Sequence, residues 1–172
     1  MTIVCAIPNG DETILGCDQK AGDFLINTKW IIRGQWAIGV SGAYRTQQLI
    51  ERATLPETDD PFVLATWIRD TLLADGYKPD EHDPPVFNGH ILLATPGRVW
   101  MVNGCFATVE VKGFAAVGSG REYALGAAWM ASTPECAAWD DKRWIVDQAV
   151  MAAIAKDRDG CGGEQIVIVH KK

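Results

Sequence analysis

The order of apolar runs along the chain predicts an α+β fold, a four-layer αββα sandwich of two antiparallel sheets flanked by helix pairs. Three observations lead there. Strand-like runs crowd the first 42 residues and return over 89–117. Segments of helical period lie between and after them. Those helices come in pairs and do not alternate with strands, which disfavours a parallel, doubly wound sheet. Two packed antiparallel sheets, each covered outside by a helix pair, bury every apolar stripe.

The first two runs, "TIVCAI" and "TILGCD", are separated by the turn signal "NGD" and form a hairpin from Thr2 to Asp18. "FLINTKWII" and "WAIGVSG" read as two further strands about a turn at Gly34. The period then changes, and "AYRTQQLIERA" reads as a helix. Asp60 and Pro61 supply a cap and a first-turn proline for "FVLATWIRDTLLA", where Leu64, Ile68 and Leu72 form one stripe. The Pro-rich, acidic stretch from Asp75 to Asn88 reads as a surface loop. "GHILLAT", "RVWMVNG", "ATVEVKG" and "FAAVGSG" return to strand character. "REYALGAAWMA" and "DKRWIVDQAVMAAIAKD" are the second helix pair, with Ile145, Ala149, Ala152 and Ala153 on one face. "EQIVIV" is the last strand. There is no internal repeat, linker or low-complexity tract.

With 172 residues, 48% of them hydrophobic, the chain suits one domain, 1–172, with a substantial core. A net charge of -6 and the lack of a basic cluster argue against a nucleic-acid partner. No apolar stretch approaches the ~20 residues that cross a membrane. The N-terminus lacks the pattern of a secretion signal, so a cytoplasmic location is expected. Cys5, Cys17, Cys105, Cys136 and Cys161 are odd in number and have no zinc-ligand spacing. They read as reduced, buried thiols. His82, His90 and His170 are too scattered for a metal site.

Five places draw attention together. Thr2 heads the first strand and Asp18 ends the second, so the hairpin brings them close. Lys29 stands in the middle of an apolar strand. Ser119, in "GSG", lies between a strand and a helix, and Asp159 opens the Gly-rich turn "DGCGGEQ". Each has a plainer explanation: β-propensity for Thr2, strand terminator for Asp18, snorkelling for Lys29, helix cap for Ser119 and turn residue for Asp159.

Taken together, these residues resemble the proteasome β-type N-terminal nucleophile hydrolases, and among them the HslV-like peptidases. "TIV" at the start, "GCD" after one hairpin, a lone lysine on the next strand, "VSG" before the first helix, "AAVGSGREYALGAA" and "DRDGCGGEQ" occur in that family's order. Thr2 and Asp18 stand 16 residues apart, the family's spacing from nucleophile to buried aspartate. The resemblance covers the whole chain. It departs from the family at Ile3, where a second threonine is common, at Gly22, and in a shorter segment between Lys29 and Gly42.

The resemblance implies an N-terminal threonine endopeptidase. A threonine hydroxyl is a poor nucleophile until a base takes its proton, and an N-terminal threonine carries its own base in the α-amine. Positive charge from Lys29 would favour the neutral amine, and Asp18 would hold Lys29 in place. By the same resemblance Ser119 and Asp159 form a second hydrogen-bonded layer around the amine. Gly42 supplies the oxyanion N–H, Ala21 and Gly22 pair edge-on with an extended substrate, and Val40 floors the specificity pocket. No cofactor is required. A structural monovalent cation held by backbone oxygens of Asp159 and Gly162 is the one candidate ion. The family also implies self-association into a hexameric or heptameric ring, doubled by stacking, that encloses the active sites. Trp67, Trp129 and Trp144 would widen the apolar helix faces for it. An ATP-dependent unfoldase would be the partner and unfolded proteins the substrates.

Two alternatives stand beside this reading. A retained Met1 would cap Thr2, leaving an inactive ring-forming scaffold of the same fold. Methionine aminopeptidase, which favours a small second residue, could instead expose Thr2. The other alternative is a serine or cysteine hydrolase built on Ser119 with His90, or on Cys5 or Cys161. "VGSGR" lacks the G-x-S-x-G elbow that such a serine would need.

Overall fold

The computed structural model of the chain describes residues 2–76, 87, 89–136, 138, 140–157 and 159–172. Six strands come first: β1 (Val4–Asn9), β2 (Glu12–Cys17), β3 (Lys20–Ala21), β4 (Phe24–Leu25), β5 (Trp30–Arg33) and β6 (Trp36–Ser41). Helices α1 (Tyr44–Arg52) and α2 (Pro61–Ala74) follow. Then come β7 (His90–Thr95), β8 (Arg98–Val102), β9 (Thr108–Val111) and β10 (Ala115–Val117). Helices α3 (Arg121–Ala131) and α4 (Lys142–Lys156) and strand β11 (Ile166–Lys171) complete the chain. Most of the loop expected over Asp75–Asn88, with His82, lies outside the described residues.

The strands form the two expected sheets. One runs β10-β1-β2-β11 and the other β5-β6-β7-β8-β9, all neighbours being antiparallel. Alternation along each strand sends side chains to two different cores. On β1, Val4 and Ala6 face the second sheet and share a core with Leu15 of β2 and with Trp30, Leu92 and Val99 of that second sheet. Ile3, Cys5 and Ile7 face the other way, onto Ile145, Val146, Ala149, Val150 and Ala153 of α4. A third core lies under α1 and α2, where Leu64, Ile68 and Leu72 pack on Ile38, Ile91 and Leu93. The order is therefore helix pair, sheet, sheet, helix pair, as the element order predicts. The α4 stripe differs in one respect: Val146 and Val150 complete it, while Ala152 is only half-buried. Among the described residues, no helix is long and apolar enough to cross a membrane.

Helix α2 starts where the sequence says it should. The Asp60 carboxylate accepts the Phe62 N–H at 2.8 Å, and Pro61 takes a position where its missing N–H costs nothing.

One expected strand breaks. "FLINTKWII" is not continuous: β4 ends at Leu25 and β5 begins at Trp30. Gly22, at φ 62°, turns the chain so that Lys20–Ala21 pairs with Phe24–Leu25 in a small ribbon. The Ile26 N–H then donates to the Gln19 carbonyl, and the Thr28 hydroxyl accepts the Trp30 N–H at 3.1 Å. A side chain that takes its neighbour's amide competes with the ladder. Lys29 consequently precedes β5 instead of standing inside a strand. It is also buried, at 3% exposure, so it does not snorkel.

Candidate active site

Register places the first pair. Val4 is opposite Cys17, so the chain on either side of that pair brings Ile3 to Asp18, whose N–H donates to the Ile3 carbonyl at 3.3 Å. Thr2, 4% exposed, then lies over the Asp18 side chain, and its hydroxyl donates to Asp18 Oδ1 at 2.9 Å.

Asp18 is fully buried, and a bare carboxylate there would be very costly. The chain surrounds it with donors. Oδ1 accepts from Thr2 Oγ1, from the Ile3 N–H at 2.9 Å, and from Lys29 Nζ at 2.5 Å. Oδ2 accepts the N–H groups of Lys20 at 3.1 Å and Gly162 at 3.0 Å. The bend at 26–29 is what turns Lys29 inward to complete this set. Burial pulls the Lys29 ammonium below the ordinary lysine range, while the Asp18 charge and hydrogen bond oppose that fall. Two side chains, those of Cys17 and Trp30, fix the lysine's segment. The Lys29 N–H donates to Cys17 Sγ at 3.4 Å, and Trp30 Nε1 donates to the Gly16 carbonyl at 3.1 Å.

The "GSG" loop holds Thr2 from the other side. Ser119 Oγ accepts the Thr2 N–H at 3.1 Å, and the Gly120 N–H donates to the Thr2 carbonyl at 3.3 Å. Gly118 has φ 109°, and a Cβ there would collide with the Thr2 carbonyl, so this approach requires glycine. Gly120, not Ser119, is the N-cap of α3, which leaves the Ser119 hydroxyl for Thr2.

The late turn departs from expectation at Asp159. Its side chain is exposed and makes no hydrogen bond among the described residues. Asp157, the C-cap residue of α4, lies inward instead. It accepts the Gly160 N–H at 3.2 Å and the Cys161 thiol at 3.6 Å, and a Cβ on Gly160 would meet both Asp157 and Ser119. The helix end sets this: the α4 C-cap turns Asp157 back over the turn, and two residues later the chain faces solvent. The proposed cation oxygens are engaged within the chain. The Asp159 carbonyl accepts Lys20 Nζ at 3.0 Å, and the Gly162 carbonyl accepts the Gln19 N–H at 3.0 Å. The Asp159 oxygen thus already faces a cation, the chain's own ammonium.

A pocket opens beside Thr2. It is lined by Thr2, Ala21, Gly22, Val40 and Gly42, all named from the sequence, together with Lys29. Val40 is 4% exposed and belongs also to the core under α1. Gly42 follows β6 with φ 129° and is exposed. Lys20, Ile26, Ala43 and, on α1, Tyr44 and Gln47 complete the wall, and none of these five was identified from sequence. A wall residue at helical spacing after "VSG" was the available signal.

The other nucleophile candidates are placed differently. Burial pushes the Cys5 thiol well up, and burial with the Asp18 and Asp157 charges pushes Cys161 up to about 12. Thiols held protonated are inert. His90 is exposed at the start of β7, and no hydrogen bond joins it to Ser119 among the described residues.

Two packed antiparallel sheets with a helix pair on each outer face make an αββα sandwich, the fold of HslV-like structures. Among solved structures with this fold is Thiobacillus denitrificans BPH, 23% identical with TM-score 0.76, over 99% of this chain and 98% of that one. The same protein in complex with epoxomicin gives 21% identity and 0.76 over the same shares. Eukaryotic HslV from Trypanosoma brucei gives 17% and 0.63, over 99% of this chain and 100% of that one. No protein-family model and no curated protein matches the sequence. At these identities the likeness is one of fold.

Proposed function

We propose that this chain is a threonine-type endopeptidase whose nucleophile is Thr2 Oγ1 and whose base is the Thr2 α-amine. The observation that carries the proposal is the convergence on one buried carboxylate oxygen: Thr2 Oγ1 and Lys29 Nζ both hydrogen-bond Asp18 Oδ1 at the edge of an open pocket. Removal of Met1 frees the amine. The hydroxyl proton passes to that amine as Oγ1 bonds the substrate carbonyl carbon. The oxyanion takes the Gly42 N–H as donor. The C–N bond then breaks, the amine returns its proton to the leaving group, and water hydrolyses the threonine ester. Lys29 keeps the amine neutral by its positive charge, and Asp18 keeps Lys29 charged against the pull of burial. Ser119 orients the amine nitrogen, and Asp157 takes the supporting place that the family resemblance gave to Asp159. Ala21 and Gly22 offer backbone groups to an extended peptide, with Val40 beneath the side chain before the cut.

The fold it shares with a BPH solved with epoxomicin, and with HslV, supports the reading. Under it the chain forms a hexameric or heptameric ring, doubled by stacking, that receives unfolded protein from an ATP-dependent unfoldase. The test is turnover of a fluorogenic peptide. Thr2→Ala should lose essentially all activity and Thr2→Ser should keep part of it. A fully active Thr2→Ala chain would refute the mechanism.

A further inference from the structure

Gln47 is a buried polar residue that the mechanism does not use. It projects from α1, is 4% exposed, and lines the pocket beside Thr2. Its orientation is fixed by its partners. Nε2 lies 3.1 Å from the Thr28 carbonyl and 2.8 Å from Glu51 Oε1, and both of these are acceptors. The amide nitrogen must therefore point at them, and both its hydrogens are used. The other end of the amide is left over. Among the described residues nothing hydrogen-bonds Gln47 Oε1. No buried side-chain nitrogen or oxygen lacks a partner among them, so this oxygen is reachable by solvent. The pocket is the opening that Gln47 lines.

From this geometry we infer that Gln47 is a specificity-determining residue, its amide oxygen selecting a neutral side chain that ends in an N–H or O–H donor before the cut. The inference rests on the peptidase reading for the identity of the pocket. A pinned acceptor that loses its water and gains no donor costs a bound ligand affinity. The remaining wall is apolar at Val40, Ile26 and Ala43, which suits the stem of such a side chain. Lys20 and Lys29 line the same pocket and disfavour a cationic one. Serine, threonine, asparagine and glutamine meet these conditions, and among near-isosteric pairs glutamine should be preferred to methionine.

The experiment compares two fluorogenic peptides that differ only in glutamine or methionine before the cut. The parent chain should cleave the glutamine peptide with kcat/KM higher by about tenfold, the margin of one good hydrogen bond. Gln47→Met should erase that margin, whatever it does to the absolute rate through the lost Thr28 contact. Equal rates, a methionine preference, or an unchanged margin in the variant would overturn the inference. If Gln47→Met does not fold, the parent's ratio decides alone. The same two peptides are titrated onto the Thr2→Ala chain. Tighter glutamine binding without any cleavage by the parent would refute the peptidase and keep the pocket's selectivity. Equal binding there would overturn the selectivity.

Discussion

At the scale of residues, the site is a buried charge and the donors that make it tolerable. Removing one partner of such a pair exposes the other to the full cost of burial, about 3–5 kcal/mol. Lys29→Ala should therefore destabilise the chain by that order as well as remove most activity, and Asp18→Ala should do likewise. The double variant should be little worse than either single one, because the two act as a unit; urea unfolding and peptide turnover check both halves. A second prediction concerns alkali. Burial raises the Cys5, Cys17 and Cys161 thiols, the last to about 12, against an ordinary value of 9.0. Raised folded values mean that the unfolded chain loses protons first. Stability is then intact below pH 9 and falls as pH rises toward 12. Lys29, whose folded value is lowered, opposes this with one group against three. Urea midpoints across pH 8–11 should decline, and a flat profile would contradict the burial of these thiols. The hairpin pattern made the approach of Thr2 to Asp18 legible in the sequence, while Lys29 joined them there only through the family resemblance. The Asp18 donors from Ile3, Lys20 and Gly162 were not legible, since backbone N–H groups carry no residue identity. Asp157 and Asp159 differ only in where a helix ends, and that boundary is weakly encoded.

At the scale of elements, the hairpin β1–β2 and the bend before β5 are joined by Trp30. Its ring lies against Gly39 of β6, and its Nε1 reaches the Gly16 carbonyl of β2. One side chain thus ties the two sheets together next to Lys29. A Cβ on Gly39 would stand 2.5 Å from Val4 Cγ1 and 2.9 Å from the Trp30 ring. Gly39→Ala should force the sheets apart and cost about 1–3 kcal/mol. It should also lower kcat more than KM, because Lys29 moves with Trp30. Thermal unfolding and steady-state kinetics check this, and an unperturbed variant would show that the sheet spacing does not position the site. Long alternating runs made the sheets legible. The ribbon β3–β4 and the bend were not, because a glycine turn and the Thr28 hydroxyl overrode the strand propensity of "FLINTKWII".

At the scale of the whole molecule, the helix pair α3–α4 presents Trp129, Met130 and Met151 to solvent, at 69%, 60% and 45% exposure. Phe24 and Leu25 stand out similarly on the ribbon near the pocket. Exposed apolar groups on a helix pair are candidate interface residues, and repeated identical contacts close into rings. Light scattering should find a ring of six or seven subunits or its double, and Trp129→Glu with Met130→Glu should reduce the assembly. A stable monomer at micromolar concentration would remove the enclosed chamber from the account. Helix pairing made the layer order readable. The exposure of Trp129, against the half-burial of Trp67 and Trp144, needed the packing of three dimensions.

Under the proposed mechanism Thr2, with its own amine free, forms the covalent intermediate. Mass spectrometry of the N-terminal peptide, after acid quench during turnover of a slowly hydrolysed peptide ester, reads that species out. The predicted result is a peptide that begins at Thr2 and carries the acyl group on it. A peptide that still begins at Met1, or an acyl group found on Ser119, Cys5 or Cys161, would contradict it.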